Sequence, residues 1–150
     1  MAELEICEVA PRDGLQSASR TLSVAERVSF IQGLYVCGLK KIEVGSLVNP
    51  KLVPSMADSD QVFNAVCEAT PTNRDNFSLL IPNEKGFNRA LEIGCASVAF
   101  FTATSETFNK KNINRSVGES LEDLRHLIQH AKEKKLRIRL YISTVFDCAY

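Results

Sequence analysis

The sequence predicts a parallel α/β fold of the (β/α) TIM-barrel type, present as roughly the first five strands and four helices of such a barrel. Short apolar runs alternate with longer amphipathic stretches, and this alternation implies parallel strands joined by right-handed crossovers. Polar side chains gather just after each apolar run, and in a barrel these strand ends converge on one face. A doubly wound sheet collects polar groups mainly at one switch point, so the repeated polar strand ends favour a barrel.

Local start and stop signals predict the individual elements. The first helix is expected to begin at Ser23, because Glu26 follows three residues later in the pattern of a capping box. Gly38, Gly94 and the basic run 132–135 are helix stop signals. The strands are runs rich in β-branched and aromatic residues. The predicted strands are 4–9, 41–44, 77–81, 97–101 and 138–145, and the predicted helices are 23–37, 58–68, 84–93 and 120–134.

The end of the first strand is the most informative segment. Pro11 stops the strand, because proline has no N–H for the sheet ladder, and Gly14 lets the backbone turn away. Between them lie Arg12 and Asp13, a guanidinium beside a carboxylate. Enzymes with α/β folds carry their chemistry at the carboxyl ends of strands. Arg12 and Asp13 are therefore candidate functional residues.

Composition narrows the class of protein. The chain has 18 basic and 18 acidic residues, so its zero net charge argues against nucleic acid or an anionic membrane as a partner. A hydrophobic content of 45% supports one domain over 1–150. No apolar stretch approaches the roughly 20 residues that span a bilayer. No signal peptide is expected before the first strand, and a cytoplasmic location follows.

The cysteines and histidines give no sign of a metal site. No CxxC pair is present, which is typical of a reducing compartment. Cys7, Cys37, Cys67 and Cys95 are predicted to be inert core thiols, whereas the role of Cys148 is left open. The pair His126 and His130 falls opposite the apolar face of its helix, so both are predicted at the surface. The basic residues Lys110, Lys111 and Arg115 are interpreted as a solvated loop.

Four segments, each at a strand end, are distinctive: 8–16 (EVAPRDGLQ), 42–58 (IEVGS followed by VNPKLVPSMAD), 82–87 (PNEKGF) and 105–114 (SETFNKKNIN). Together they resemble the 3-hydroxy-3-methylglutaryl-CoA (HMG-CoA) lyase family of metal-dependent barrels, and the resemblance covers nearly all of the chain. Related condensing synthases usually place Thr-Leu before Arg-Asp-Gly, so Pro11 favours the lyase branch. The chain departs from the family at Ser17 and Ala18, in Gly45-Ser46-Leu47 and at 147–150.

The resemblance implies a role for each of five residues. Asp13 would ligate a divalent metal, Mg²⁺ or Mn²⁺, and Arg12 would face the thioester oxygen where negative charge develops. Glu43 would orient Arg12 or the waters of the metal. Gln16 would line the site, and Ser46 would hold polar atoms of an acyl-CoA substrate. The implied reaction cleaves HMG-CoA to acetyl-CoA and acetoacetate, which belongs to leucine degradation and ketone-body formation.

Length limits what the chain does alone. A complete barrel typically needs about 250 residues, and the later His-x-His pair, Asn and Cys loop of the family have no counterpart here. The isolated chain is therefore predicted to be catalytically inactive. Unpaired strand edges predict self-association, for example as a homo-oligomer. A condensing synthase, a lyase for another acyl-CoA, and a non-catalytic half barrel remain as alternatives.

Overall fold

The computed structural model describes residues 4–70 and 74–150, and its centre is one five-stranded sheet. All neighbouring strands run parallel, and their spatial order follows their order in the sequence. The predicted parallel α/β fold is confirmed. The strands are β1 (Cys7–Glu8), β2 (Lys41–Ser46), β3 (Phe77–Leu80), β4 (Ser97–Ala103) and β5 (Arg137–Ser143). The helices are α1 (Val24–Val36), α2 (Ser59–Ala69), α3 (Glu84–Glu92), α4 (Glu106–Ile113) and α5 (Val117–Glu133).

Three element predictions need correction. The strand predicted at 4–9 shrinks to Cys7–Glu8, because the chain enters a π-helical turn at Ala10–Gly14. Helix α4 was not predicted; it is rich in Asn and Lys and lacks a clear apolar face, and Ser105 caps it by accepting a hydrogen bond from the Phe108 amide. The described residues thus contain five α-helices rather than four. Strand β5 ends at Ser143 rather than 145, because Thr144 has a φ of 58°.

The core lies between the sheet and its helices. Phe77 and Leu79 of β3 and Phe100 of β4 are fully buried against Phe63 of α2 and Phe87 of α3. Burying a side chain of this size contributes roughly 1.5–3 kcal/mol. Hydrogen bonds at the helix ends support this packing. The predicted capping box of Ser23 and Glu26 is present, and Ser116 forms a second with Glu119.

Side chains of the first and last strands meet across the inner face of the sheet. Glu5 forms an ion pair with Arg137, and Arg139 lies close enough to Cys7 to interact with it electrostatically. The hydroxyl of Tyr141 reaches Glu43. In a (β/α) barrel, side chains from alternate strands share a layer in the interior, so contacts between β1 and β5 are those of a strongly curved sheet.

A bulge in β2 changes which side chains face the interior. Glu43 pairs with Ser78, whereas the next pair joins Gly45 to Leu79, so Val44 is the extra residue. Simple alternation would place Ser46 on the face opposite Glu43. The inserted residue shifts the alternation by one, so Ser46 shares the inner face with Glu43.

The cysteines match the sequence-based interpretation only in part. Cys95 is buried, and burial raises its pKa to about 12. Cys7, Cys67 and Cys148 are half-buried. Cys37 is exposed at the C-cap of α1, so its prediction as a core thiol was wrong. Among the described residues, no helix has the length and apolar composition needed to cross a bilayer.

Gly45 offers a direct test of the bulge. A Cβ at this position would lie 2.5 Å from Ser59 Oγ and 3.0 Å from Arg27 Nη2. We expect Gly45→Ala to lower the free energy of unfolding by about 1–3 kcal/mol, because neither neighbour has room to withdraw. Urea unfolding measures the change.

Gly33→Ala is the matched control, because nothing lies within 4 Å of the added Cβ in the middle of α1. This variant is expected to gain about 0.5–1 kcal/mol from helix propensity. Equal stability of the Gly45→Ala variant and the unchanged chain would contradict the tight packing described at Gly45.

Candidate active site

The turn after β1 directs Arg12 toward the inner face of the sheet. The carbonyl of Val9 accepts hydrogen bonds from the amides of Arg12 and Asp13, at 3.0 and 2.7 Å. A carboxylate oxygen of Glu8 accepts one from the Ala10 amide at 2.7 Å. These bonds satisfy the backbone of a turn in which Pro11 is buried and donates none. The turn therefore has a defined shape.

A buried ion pair joins the turn to β2. Arg12 Nε donates to Glu43 Oε1 at 2.6 Å, and the two side chains are 11% and 0% exposed. A carboxylate at this depth is costly unless it is paired and hydrogen-bonded. The pairing with Arg12 meets that requirement at one oxygen. Arg12 and Glu43, which follow or end two different strands, thus lie in direct contact.

Tyr141 completes the pair and was missed in the sequence. Its hydroxyl donates to Glu43 Oε2 at 2.9 Å, and its ring centre lies 5.7 Å from Arg12 Cζ. Arg139 Nη1 approaches the Tyr141 oxygen at 3.5 Å. The available signal was the alternation of residues 137, 139, 141 and 143 along β5, which marks one face of that strand. Tyr141 lies within β5 rather than beyond its end, so the pattern of polar residues after strands does not include it.

The protonation states of these groups follow from their surroundings. Burial lowers the pKa of Arg12, but the attraction and hydrogen bond of Glu43 outweigh it, so the net pKa lies above its usual value. Burial, and then the negative charge of Glu43, raise the pKa of Tyr141. At neutral pH the site therefore holds a charged guanidinium and a neutral phenol. Such a fixed positive group can stabilise negative charge that develops on a bound oxygen.

Asp13 lies at the solvent-exposed side of the Arg12–Glu43 ion pair. Its Oδ1 accepts from Arg12 Nη1 at 2.6 Å, and its side chain is 66% exposed. Within residues 4–70 and 74–150, no three His, Cys, Asp or Glu side chains lie close enough together to hold a metal ion. Asp13 is a hard oxygen ligand suited to Mg²⁺ or Mn²⁺, but the described residues do not form a complete metal site.

Ser46 and Gln16 lie outside the hydrogen-bonded group of Arg12, Asp13 and Glu43. Ser46 is buried, and its hydroxyl donates to the carbonyl of Leu80 at 3.2 Å, while its amide donates to Ser59 Oγ. Gln16 is exposed beyond the turn. The structure thus brings Arg12, Asp13 and Glu43 into one connected group and does not join Gln16 to it by a hydrogen bond.

The remaining candidates lie away from this group. His126 and His130 are exposed on α5, and His130 stacks on Phe87, which agrees with their predicted surface position. Lys111 lies over the ring of Tyr150. Cys148 Sγ donates to Ser105 Oγ at 3.1 Å, so the segment after β5 contacts the first turn of α4.

Similarity to known proteins extends along almost the whole chain. The HMGL-like family model matches residues 3–148. A hydroxymethylglutaryl-CoA lyase from Pseudomonas mevalonii is 42% identical over 100% of this chain and 49% of its own length. The mitochondrial hydroxymethylglutaryl-CoA lyase of Bos taurus is 38% identical over 99% of this chain and 45% of its own length. The chain thus spans about half the length of the curated relatives it matches.

Solved structures agree with these sequence matches. The hydroxymethylglutaryl-CoA lyase of Pseudomonas aeruginosa superimposes with a TM-score of 0.88 and 41% identity, over 99% of this chain and 48% of that one. An HMG-CoA lyase from Acinetobacter baumannii, solved with coenzyme A and 3-methylmalate, gives a TM-score of 0.85 and 28% identity, over 97% of this chain and 46% of that one. With the half-barrel sheet and the match over residues 3–148, these results show that the chain belongs to the HMGL-like family.

Proposed function

We propose that this chain supplies one half of the active site of a carbon–carbon lyase, which cleaves HMG-CoA to acetyl-CoA and acetoacetate. The observation that carries the proposal is the buried ion pair of Arg12 and Glu43, which holds a guanidinium at the inner face of the sheet. The relatives named hydroxymethylglutaryl-CoA lyase support the reaction. The coenzyme A bound to the A. baumannii relative supports an acyl-CoA substrate.

The reaction defines what the residues must do. A base takes the proton of the 3-hydroxyl group, the bond between C2 and C3 breaks to leave a ketone, and the electron pair passes to the thioester carbon chain as an enolate. An acid then protonates that carbon to give acetyl-CoA. Arg12, charged and fixed by Glu43, stabilises the enolate oxygen in this scheme. Asp13 would contribute one ligand to a divalent metal, which would polarise substrate oxygens when bound.

Glu43 and Tyr141 act through Arg12. Glu43 offers one oxygen to Arg12 Nε and the other to the Tyr141 hydroxyl, so its orientation is fixed from both sides. This arrangement leaves the Nη atoms of Arg12 for Asp13 and for substrate. We propose that the base and the acid come from the other half of the barrel.

A complementation assay tests the proposal. The C-terminal half of the P. mevalonii relative is produced separately and mixed with this chain in the presence of Mg²⁺ or Mn²⁺. We expect the mixture to release acetyl-CoA and acetoacetate from HMG-CoA and each half alone to release neither. Cleavage by this chain alone would contradict its proposed inactivity. A stable one-to-one complex that leaves HMG-CoA intact but condenses acetyl-CoA with a keto acid would favour the synthase alternative.

Arg12→Met tests the role of the guanidinium in the same assay. We expect its rate to fall by about 10²–10³-fold, the usual loss when a donor to a developing oxyanion is removed. Arg89→Met is the control, because Arg89 pairs with Asp60 and Glu92 at the surface; its rate should stay within about twofold. Circular dichroism and gel filtration verify that both complexes form. An equal rate for Arg12→Met and Arg89→Met would exclude the assigned role.

A second candidate is a non-catalytic half barrel that pairs with another copy of itself. It is favoured by the exposure of Leu140 and Ile142 on β5, which are 43% and 54% exposed, and of Ile6 before β1. Apolar residues at an unpaired parallel edge favour association.

Sedimentation equilibrium distinguishes the two candidates. The second candidate is favoured if the chain is a dimer that does not complement the C-terminal half. In that case, Leu140→Lys and Ile142→Lys together should convert the dimer to a monomer. A monomer that becomes active on complementation favours the lyase.

Tyr141 predicts a pH dependence of stability. Its folded pKa is raised above the value near 10 of an unfolded tyrosine, so its contribution is complete below about pH 10 and is lost as pH rises through the folded pKa. Tyr141→Phe should lower the free energy of unfolding by about 1–3 kcal/mol at pH 7, because Glu43 Oε2 loses its donor. The variant should also lose stability less steeply than the unchanged chain above about pH 10.

Urea unfolding at several pH values measures this difference. Ile138→Val on the same strand is the control, because it removes a methylene group beside the core and should cost about 0.5–1.5 kcal/mol at every pH. Parallel pH curves for Tyr141→Phe and the unchanged chain would contradict the assignment.

A further inference from the structure

Arg27 is a buried cation that the proposed chemistry does not use. It lies on α1 and is 2% exposed. Its Nη2 atom donates to the carbonyl of Val44 at 3.3 Å and to Ser59 Oγ at 3.2 Å, and its Nη1 atom donates to the carbonyl of Ser55 at 3.4 Å. No carboxylate forms a salt bridge with it among the described residues. Burying a charge without an ion pair costs free energy of desolvation, so the hydrogen bonds of Arg27 must offset that cost.

The groups that accept hydrogen bonds from Arg27 belong to the end of β2, the loop that follows it and the first residue of α2. Val44 is the extra residue of the bulge, and Gly45 packs so closely that a Cβ there would touch both Arg27 and Ser59. Ser59 Oγ accepts from the Ser46 amide at 3.1 Å and donates to the carbonyl of Met56 at 2.8 Å. Hydrogen bonds from the helix side of the sheet therefore hold the bulge at Val44, the residue next to Glu43.

We propose that Arg27 and Ser59 are positioning residues for the candidate active site: they hold the β2 bulge, and the bulge sets the orientation of Glu43 and places Ser46 on the same inner face. The guanidinium spans the bulge carbonyl and the loop carbonyl with the two Nη atoms of one rigid planar group. The inference rests on the proposed site, in which Glu43 takes part. Its test measures the geometry of Glu43 without catalysis, so the two proposals can fail separately.

The contact between Tyr141 and Glu43 provides the measurement. The chain contains three tyrosines, and labelling them with ¹³C at Cζ gives one resonance each, of which Tyr141→Phe identifies one. The Cζ shift responds to the hydrogen bond that the hydroxyl donates. Glu43→Gln, which removes the acceptor charge, sets the reference position of the resonance at neutral pH.

We expect Arg27→Met to move the Tyr141 resonance most of the way toward the Glu43→Gln position, and Ser59→Ala to move it part of the way. Ile31→Val is the control, because Ile31 is buried on the same helix and its apolar side chain forms no hydrogen bond to the bulge. The Tyr141 resonance of this variant should stay in place. If Arg27→Met does not fold, folded Ser59→Ala alone decides the result. An unchanged Tyr141 resonance in folded Ser59→Ala, or in folded Arg27→Met, would overturn the proposal.

Discussion

The pairing of Arg12 with Glu43 is the interaction on which the rest of the site depends. Glu43 is completely buried, and both of its oxygens are occupied, one by Arg12 and the other by Tyr141. Removing one partner of such a pair typically costs about 3–5 kcal/mol, because the remaining charge stays buried. Three elements that are distant in sequence, the turn after β1, strand β2 and strand β5, are therefore tied together at one point. The interaction that orients the guanidinium is also one that holds the curved sheet together.

The polar interior explains the shape of the sheet. Barrel interiors are usually filled by branched apolar side chains, whereas here Glu5, Cys7 and Glu43 face Arg137, Arg139 and Tyr141. Glu43 is the fully buried member of this set, so its carboxylate needs hydrogen-bond partners across the inner face. The helix side, in contrast, carries the aromatic core of Phe63, Phe77, Phe87 and Phe100. Stability and chemistry are thus placed on opposite faces of the same strands.

The sequence predicted the fold and part of the site, and the failures share a physical cause. Arg12 and Asp13 were found because they follow a strand that ends at a proline, a signal contained in four adjacent residues. Tyr141 was missed because its role depends on which face of β5 points inward, and that requires the partner strand. The position of Ser46 could not follow from alternation, because the bulge reverses it. Helix α4 was missed because its stability depends on a cap and on packing more than on an apolar stripe.

The consecutive order of the strands has a consequence for how the chain folds. Each strand pairs with the strand before it, so most of the sheet can form progressively from the N-terminus during synthesis, with one helical crossover to close at each step. The contact between Glu5 and Arg137 joins residues separated by 132 positions, and it becomes available only when β5 has emerged. Until that moment Glu5 and Glu43 face an interior that lacks their β5 partners. Strand β5 therefore has a second task besides pairing with β4, since it brings a cation to Glu5 and a hydrogen-bond donor to Glu43.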